Sequence, residues 1–543
     1  MDSTTADVGE ILSNFTNWLE AHGETSWDHQ SFFAGPVGRA AKSIYYRNRY
    51  LGTAAVAPMI FFEAFLPSAR RLFHERIRFP IADAHYSMGF AFLYEATSNP
   101  AYLDRAIHFL EQLRLSRSPG YKEYCWGYPF DWVTRHGTTK AWTPFITTTP
   151  YCYEAFLQVA RLLGQMSEGR RRTTSDGGPT VENRIHESEV SNRRHRSSVI
   201  RPLDLRDDYT QIAASIARHA MNDIHDYETS STASSCSYSP LGEGGVLNAA
   251  AYRAFLLTSA SQVFENGDYA RTAERNLNFV LENQNQDGSW YYAVDGVRDF
   301  VDHYHTCFVM KALAKVHALL QRAEVRVQRT EDRGQRAEVG GQMTENRGQE
   351  AEGRWQMTEV GGPVTAAKQR PGFQMAEVRG LRAEGRGQRS EVRGQMAEGV
   401  ADRIYSALSR GVDYYLKNLF AEDGLPKPFA KAPRLTVYKR ELYDCAECIN
   451  LCLLLRDRFP QLGEKLEVVV QGILSDWVKP DGSFRSRRLH LGWDNVPMHR
   501  WGQAQMFRAL AFYLRETSAS EDGRRMTENR EKSEKNAQNT GIA

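Results

Sequence analysis

The sequence predicts an all-α protein built as an (α/α)6 toroid, an inner ring of helices wrapped by an outer ring, with long disordered loop insertions. Three observations predict it. Two kinds of helical segment alternate one for one along the chain, six of each. Strand-like alternation of apolar and polar residues is scarce. The more apolar segments open on aromatic and ionisable residues and carry mostly apolar side chains beyond their first turn.

The amphipathic kind covers Gly9–His22, Asn99–Ser116, Asp207–Tyr227, Asp268–Asn283, Ala401–Phe420 and Leu462–Val478. Charged and apolar residues recur there at helical spacing, as in AYLDRAIHFLEQL and DYARTAERNLNFVL. The other kind covers Asp83–Ala96, Thr149–Leu163, Asn248–Phe264, Val301–Leu320, Leu442–Leu455 and Pro497–Leu514. A helix that is apolar nearly all round is buried on both faces. Repeated helix pairs mark a repeat architecture. Because one helix of each pair lacks a polar face, a closed double ring explains the pattern better than an open solenoid. Ser26–Pro80 adds at least one helix beyond these twelve.

Two stretches lie outside this scheme. Gln165–Ile200 is rich in Ser, Arg, Glu and Gly, and Gln321–Val400 repeats short words such as QRAEV, QMTEV and RGQMAEG. Such mixed-charge sequence buries too little apolar surface to offset chain entropy. The expected organisation is a first part of the toroid over residues 1–164, including the extra helical segment, and an insert over 165–200. The middle of the toroid follows over 201–320, the repeat insert over 321–400, the end of the toroid over 401–516 and a disordered tail over 517–543.

At 543 residues, 41% of them hydrophobic, the chain can bury one large core or two ordinary ones. A formal charge of +2 announces no nucleic-acid partner. Seven scattered cysteines are not a secreted disulfide framework, and no set of zinc ligands stands at a suitable spacing. The first fifteen residues lack the basic start and apolar core of a signal peptide. Ala54–Leu66, interrupted by Pro58 and Glu63, is too short to span a bilayer. It reads as a buried helix, with an interfacial one flanked by Arg70, Arg71 and Arg76 as the alternative. The default compartment is the cytoplasm.

In a closed ring the inner helices run the same way, so their first turns meet around one mouth. The first supplies Asp83. The second brings Trp126, Asp131 and Trp132 in the loop CWGYPFDW, and Tyr151 in TTTPYCYE. Asn248 opens the third. The fourth adds Trp290, Asp302, His303, Tyr304 and His305, and the fifth Tyr443 and Asp444. The last, LGWDNVPMHRWGQ, gives Trp493, Asp494, His499, Arg500 and Trp501. Asp302, Tyr304, His305, Asp494, His499 and Asp83 are the expected catalytic groups and the others the expected substrate-binding groups. Carboxylates, His and Tyr transfer protons or bind hydroxyls, and Trp and Tyr faces stack on sugar rings. An Asp at a helix start is as readily an N-cap, and Asp83 and Asp302 divide evenly between the two roles. His303 and His305, two apart on a helix, do not share a face; His305 is the one expected to point inward.

The unit of outer helix, Q-x-x-DG-S-W turn, aromatic loop and buried helix resembles the six-hairpin glycosidase-like (α/α) toroid enzymes. LENQNQDGSWYY and LSDWVKPDGSFRSR are also similar to QW-like turns of terpenoid cyclases and prenyltransferases. The strings YCWGYPFDW, FITTTPYCYEAF, DHYHTCFVMKAL and GWDNVPMHRWGQAQMFRAL resemble a bacterial family associated with surface-polysaccharide biosynthesis. These resemblances imply a carbohydrate-active protein, of glycosidase, lyase or epimerase type, with an oligo- or polysaccharide as partner and peripheral association with polysaccharide-assembly machinery. No metal, no cofactor, no nucleic acid and no stable membrane span are expected. A non-catalytic glycan-binding or assembly protein is the alternative. A terpenoid enzyme is weaker, because neither a DDxxD nor a DxDD cluster is present. The sharpest expectation is geometric. Asp302 or His305 should lie across one cleft from at least one of Asp494, His499 and Arg500, with Asp83 and Tyr443 nearby.

Overall fold

The computed structural model describes residues 3–135, 137–175, 202–325, 399–433 and 436–519. The chain divides into two compact units, one of Met1–Leu313 with Ser409–Ala543 and one of Ala314–Leu408. In the second unit the described residues, 314–325 and 399–408, are helical, and the His317 and Tyr405 rings lie 6.3 Å apart.

In order, the helices are α1 (Ser3–His22), α2 (Ser31–Ala34), α3 (Pro36–Arg47), α4 (Arg49–Phe65), α5 (Pro80–Thr97), α6 (Pro100–Leu115), α7 (Thr149–Ser175) and α8 (Pro202–Asn222). Next come α9 (Leu247–Val263), α10 (Gly267–Glu282), α11 (303–325), α12 (399–418), α13 (Leu442–Leu455), α14 (Gln461–Asp476) and α15 (504–519), which a π-turn at His499–Gln503 precedes. Local chemistry starts several of them. Asn48, Asn99 and Asn266 cap α4, α6 and α10 by accepting from backbone N–H groups of the first turn, and Pro stands at the first turn of α3, α5 and α6. Short strands occupy the loops at the chemical end, among them Val301–Asp302 with Phe429–Lys431, and Tyr438–Glu441 with Arg487–Leu489 and Trp493–Asp494.

The six apolar helices close into a ring within the first unit, the (α/α)6 arrangement. His85 of α5 lies 4.5 Å from the Tyr151 ring of α7, and the Tyr151 hydroxyl shares a 2.5 Å hydrogen bond with Tyr252 of α9. Tyr252 meets Phe308 of α11 at 5.3 Å, and Phe308 meets Tyr443 of α13 at 6.0 Å. Tyr443 stacks on Trp501 at 4.8 Å. The circuit ends where it began, with Phe507 of α15 4.7 Å from Phe90 of α5. The outer partner of α15 is α1, whose Phe15 stacks on Phe507 at 5.1 Å, so the two ends of the folded chain complete the sixth pair.

A turn of one design follows three outer helices. Asp287, Asp423 and Asp481 each accept from the backbone N–H two residues on, at 3.0, 3.1 and 3.0 Å. The intervening Gly288, Gly424 and Gly482 have φ of +90°, +76° and +86°, which glycine adopts without a Cβ penalty. The first and third copies are the two DG-S turns visible in the sequence.

Several boundaries differ from expectation. Helix α7 continues through Ser175, α11 through residue 325, α12 begins at 399 and α15 runs to 519, so these margins of the supposed inserts and tail are helical. Residues 176–201, 326–398 and 520–543, where the remainder of those expectations falls, lie outside the described residues. Helix α8 stops at Asn222, and Asp226–Glu228 forms a strand against Ser234–Cys236, because Arg253 binds the Ala220 and Ile224 carbonyls and the Asp226 carboxylate. The extra N-terminal segment is a helical hairpin, α3 and α4, with α2 and a 3-10 turn at Pro67–Leu72. Among the described residues, no helix is long and apolar enough to cross a membrane.

Buried charge pins that hairpin to the ring's chemical end. Arg70 contacts Asp494 at 2.7 Å, and Arg487 sits between Glu63, at 2.7 Å, and Glu441. Removing one partner of a buried pair leaves an uncompensated charge. Arg70→Met is therefore expected to cost about 3–5 kcal/mol of unfolding free energy. Adding Asp494→Leu should restore most of it in denaturant melts; equal losses in the single and double variants would refute the pinning role of this pair.

Candidate active site

Asp302 occupies the last strand position before α11, opposite Phe429. Its Oδ1 accepts from the His305 backbone N–H at 2.8 Å and its Oδ2 lies 2.6 Å from His305 Nδ1. The two roles weighed for Asp302 are thus one: the carboxylate that starts the helix also holds the imidazole. Asp302 is buried, whereas His305 keeps 17% of its side chain exposed. With Nδ1 engaged by Asp302, Nε2 is the nitrogen left for a ligand. His303, on the other side of the helix, is buried between the Tyr415 hydroxyl, 2.8 Å away, and the Leu419 carbonyl, 3.2 Å away.

An aromatic wall extends from this pair. Tyr304 and Tyr292 lie 4.3 and 4.6 Å from the His305 ring. Tyr304 also meets Tyr443 at 5.4 Å and Trp501 at 5.5 Å. Trp501 reaches this position because Trp501 and Gly502 depart from helical geometry, which turns the indole out of the line of α15. His29 packs on its other side at 4.6 Å. The Arg500 guanidinium lies 4.4 Å from the Tyr128 ring centre and is gripped by both oxygens of Asp28, at 2.8 and 2.6 Å. Burial works to raise the Asp28 carboxyl, but Arg500 overrides it and holds the group well below the usual carboxylate range. Tyr128, Tyr292, Tyr304 and Trp501 are all part-exposed.

Asp444 follows Tyr443 in the first turn of α13. Its carboxyl is fully buried with neither oxygen hydrogen-bonded. Burial, reinforced by Glu441 and Asp302, drives its pKa well above the ordinary carboxylate value. Burial also raises Glu441, against the pull of Arg487. Deeper still, Lys311 pairs with Glu447, Arg508 lies 3.3 Å from His85, and the buried Asn248 Oδ1 has no hydrogen-bond partner. Among the described residues, no group of His, Cys, Asp and Glu is set to hold a metal ion.

Other expected site residues serve the frame. Trp126 and Trp290 are buried and donate to the Leu113 and Val280 carbonyls at 2.8 and 3.0 Å. Trp132 packs between Tyr128 and Phe145, and Asp131 accepts from the Ala141 N–H at 3.0 Å. Trp493 lies between the guanidinium groups of Arg485 and Arg488 and against Trp477. Asp494 is committed to Arg70 in a charge contact without directed hydrogen-bond geometry. Asp83 is buried against Arg78 at 2.8 Å, and burial raises its carboxyl to about 7 despite that partner. His499 has both ring nitrogens engaged, Nδ1 by the Tyr86 hydroxyl at 2.5 Å and Nε2 by the Gly23 carbonyl at 3.1 Å. The structure therefore joins the fourth, fifth and sixth inner helices through Tyr304, Tyr443 and Trp501. Asp494, His499 and Asp83 are bound in pairs of their own.

Six ionisable residues here were not singled out for the site in the sequence: Asp28, His29, Glu63, Arg70, Glu441 and Arg487. Glu63 stood out as a lone acid inside an apolar run and Arg70 as a flanking cation.

No family profile and no curated protein matches the chain. Solved structures with a similar chain path include a sugar epimerase from a ruminal bacterium, at 9% identity, covering 81% of this chain and 88% of that one with a TM-score of 0.46. A possible GH105-family member from Klebsiella pneumoniae is 11% identical over 94% of each chain, TM-score 0.46. A polysaccharide lyase is 9% identical over 96% of this chain and 99% of that one, TM-score 0.45. No residue role passes from them to this chain.

Burial, with the charges of His22, Arg76 and Arg78 beside it, lowers the His499 pKa to about 3. The unfolded chain takes up this proton near pH 6.5 and the folded chain resists it until about pH 3. The stability due to neutral His499 is thus present above pH 6.5 and lost as pH falls through that window, by at most about 1.4 kcal/mol per pH unit. The stability gap between wild type and His499→Gln should therefore narrow from pH 7 to pH 5 in urea melts. A constant gap would contradict the buried neutral state.

Proposed function

We propose that the chain is a carbohydrate-active enzyme that moves a proton on an oligo- or polysaccharide bound at the ring mouth, with His305 as the transferring group. The observation that carries this reading is the 2.6 Å contact between buried Asp302 and part-exposed His305 beside the Tyr292–Tyr304–Trp501 wall. Asp302 fixes Nδ1 as the protonated nitrogen, which leaves Nε2 as the base. The aromatic faces stack on the sugar, and the Tyr hydroxyls bind its hydroxyl groups. Both Asp302 oxygens are committed to His305, which favours lyase or epimerase chemistry over a hydrolysis that needs two free carboxylates. The resemblance of its longer strings to a surface-polysaccharide family supports a substrate from polysaccharide biosynthesis.

A general acid–base side chain contributes about 10²–10⁴-fold to rate. His305→Ala should lower turnover by that factor while glycan quenching of Trp501 fluorescence survives. Asp302→Asn should lower turnover with little loss of stability, because an Asn amide oxygen can still cap the helix. The readout is proton NMR of neutral and acidic oligosaccharides in D2O, where deuterium entry, an inverted centre or a new double bond reports the reaction. Full turnover by His305→Ala would overturn the assignment. Glycan binding with no turnover by the wild type would establish the non-catalytic alternative.

A further inference from the structure

Helix α4 is apolar nearly all round, yet only one side of it is covered. Gly52, Met59 and Glu63 are buried, and Met59 packs with Phe32, Ala41 and Phe62. The opposite side carries Tyr50 at 88% exposure and Phe61 and Phe65 at 54% each. Val37 and Ile44 of α3 and Leu72 of the 3-10 turn, at 70%, 42% and 78%, are exposed on the same hairpin. A helix with this composition is ordinarily buried all round, and apolar surface gathered in one segment marks an interaction site.

The charge on the same segment identifies the occupant. Residues 36–72 contain Arg39, Lys42, Arg47, Arg49, Arg70 and Arg71 against a single acid, Glu63. Glu63 faces inward on Arg487, and Arg70 is buried on Asp494. What the hairpin shows to solvent is therefore apolar and aromatic surface with the exposed cations Arg47, Arg49 and Arg71 and no carboxylate. A second copy of this chain would bring like charges together. An anionic bilayer surface complements both features, since interfacial helices bury aromatic and aliphatic side chains among the headgroups while Lys and Arg meet the lipid phosphates.

We propose that the α3–α4 hairpin docks the protein on an anionic membrane surface, lying in the interface without crossing it. The buried ion pairs of Glu63 and Arg70 hold the hairpin as a rigid docking element. This proposal does not rest on the reading of the catalytic site.

The full chain is tested by co-sedimentation with vesicles of phosphatidylglycerol mixed with phosphatidylcholine, and of phosphatidylcholine alone. Binding should be at least tenfold stronger to the anionic vesicles and should weaken at about 0.5 M salt. Phe61→Ser with Phe65→Ser should abolish it while leaving the melting temperature in place, because both side chains are exposed. Arg47→Glu with Arg49→Glu should reduce it by tenfold or more without touching the apolar face. Absence of binding to anionic vesicles would overturn the proposal. So would a dimer in sedimentation velocity that dissociates in the Phe61→Ser, Phe65→Ser variant.

Discussion

An inner helix of this ring has a neighbour on either side and an outer helix at its back, and that enclosure decides where its chemistry can stand. Helix α9 shows the limit case, with every residue from Leu247 to Leu257 buried. A polar group placed mid-helix must find a partner in the ring or pay the desolvation penalty. Lys311 finds Glu447, and Ser87 finds the Ala106 carbonyl. The part-exposed His305 and Trp501 stand in or just before first turns, and under the proposed function it is there that a substrate is met. The Asp302–His305 pair, Tyr443 and Trp501 all stand within the first turn of an inner helix or just before it.

The same enclosure makes charge at the mouth costly, and the N-terminal hairpin offsets that cost. Arg487 alone would be a buried cation between strands; Glu441 and Glu63 flank it from two directions. Asp28 does the same for Arg500, and Arg70 for Asp494. In each case one partner comes from the ring and the other from the segment between α1 and α5. The exception is informative. Asp444 has no ion-pair partner among the described residues, and burial, reinforced by Glu441 and Asp302, outweighs the pull of Arg487 and pushes its carboxyl well above the usual range.

The ring was legible in the sequence because periodicity reports burial directly. Leu442–Leu455 has the bounds expected of it, and Thr149, Asn248 and Pro497 each fall within two residues of a helical start. Side-chain direction was less legible. Successive residues of a helix differ by about 100° around its axis, so Tyr304 and His305 face the mouth while His303 turns to Tyr415. His305 stands one helical turn before the buried Val309, a local relation that periodicity reports. Asp83 and His499 also stand at inner-helix starts, but which way they turn depends on Arg78, Gly23 and Tyr86, from other elements. The ion pairs were illegible for the same reason: Glu63 and Arg487 are separated by most of the chain, and neither has a local pattern that names the other.

Asp302 shows how far one residue's placement carries the reading of the site. A carboxylate that only capped α11 would need one backbone contact, and one that only acted on substrate would face the mouth. Here Oδ1 takes the backbone N–H and Oδ2 the imidazole, so the start of the helix and the orientation of His305 are set by the same group. The strand pairing opposite Phe429 fixes Asp302 before the helix begins, and burial excludes the water that would compete for its oxygens. His305 therefore has little freedom at Nδ1. Its ring lies 4.3 Å from Tyr304, and in the proposed reaction the remaining nitrogen, Nε2, is the base.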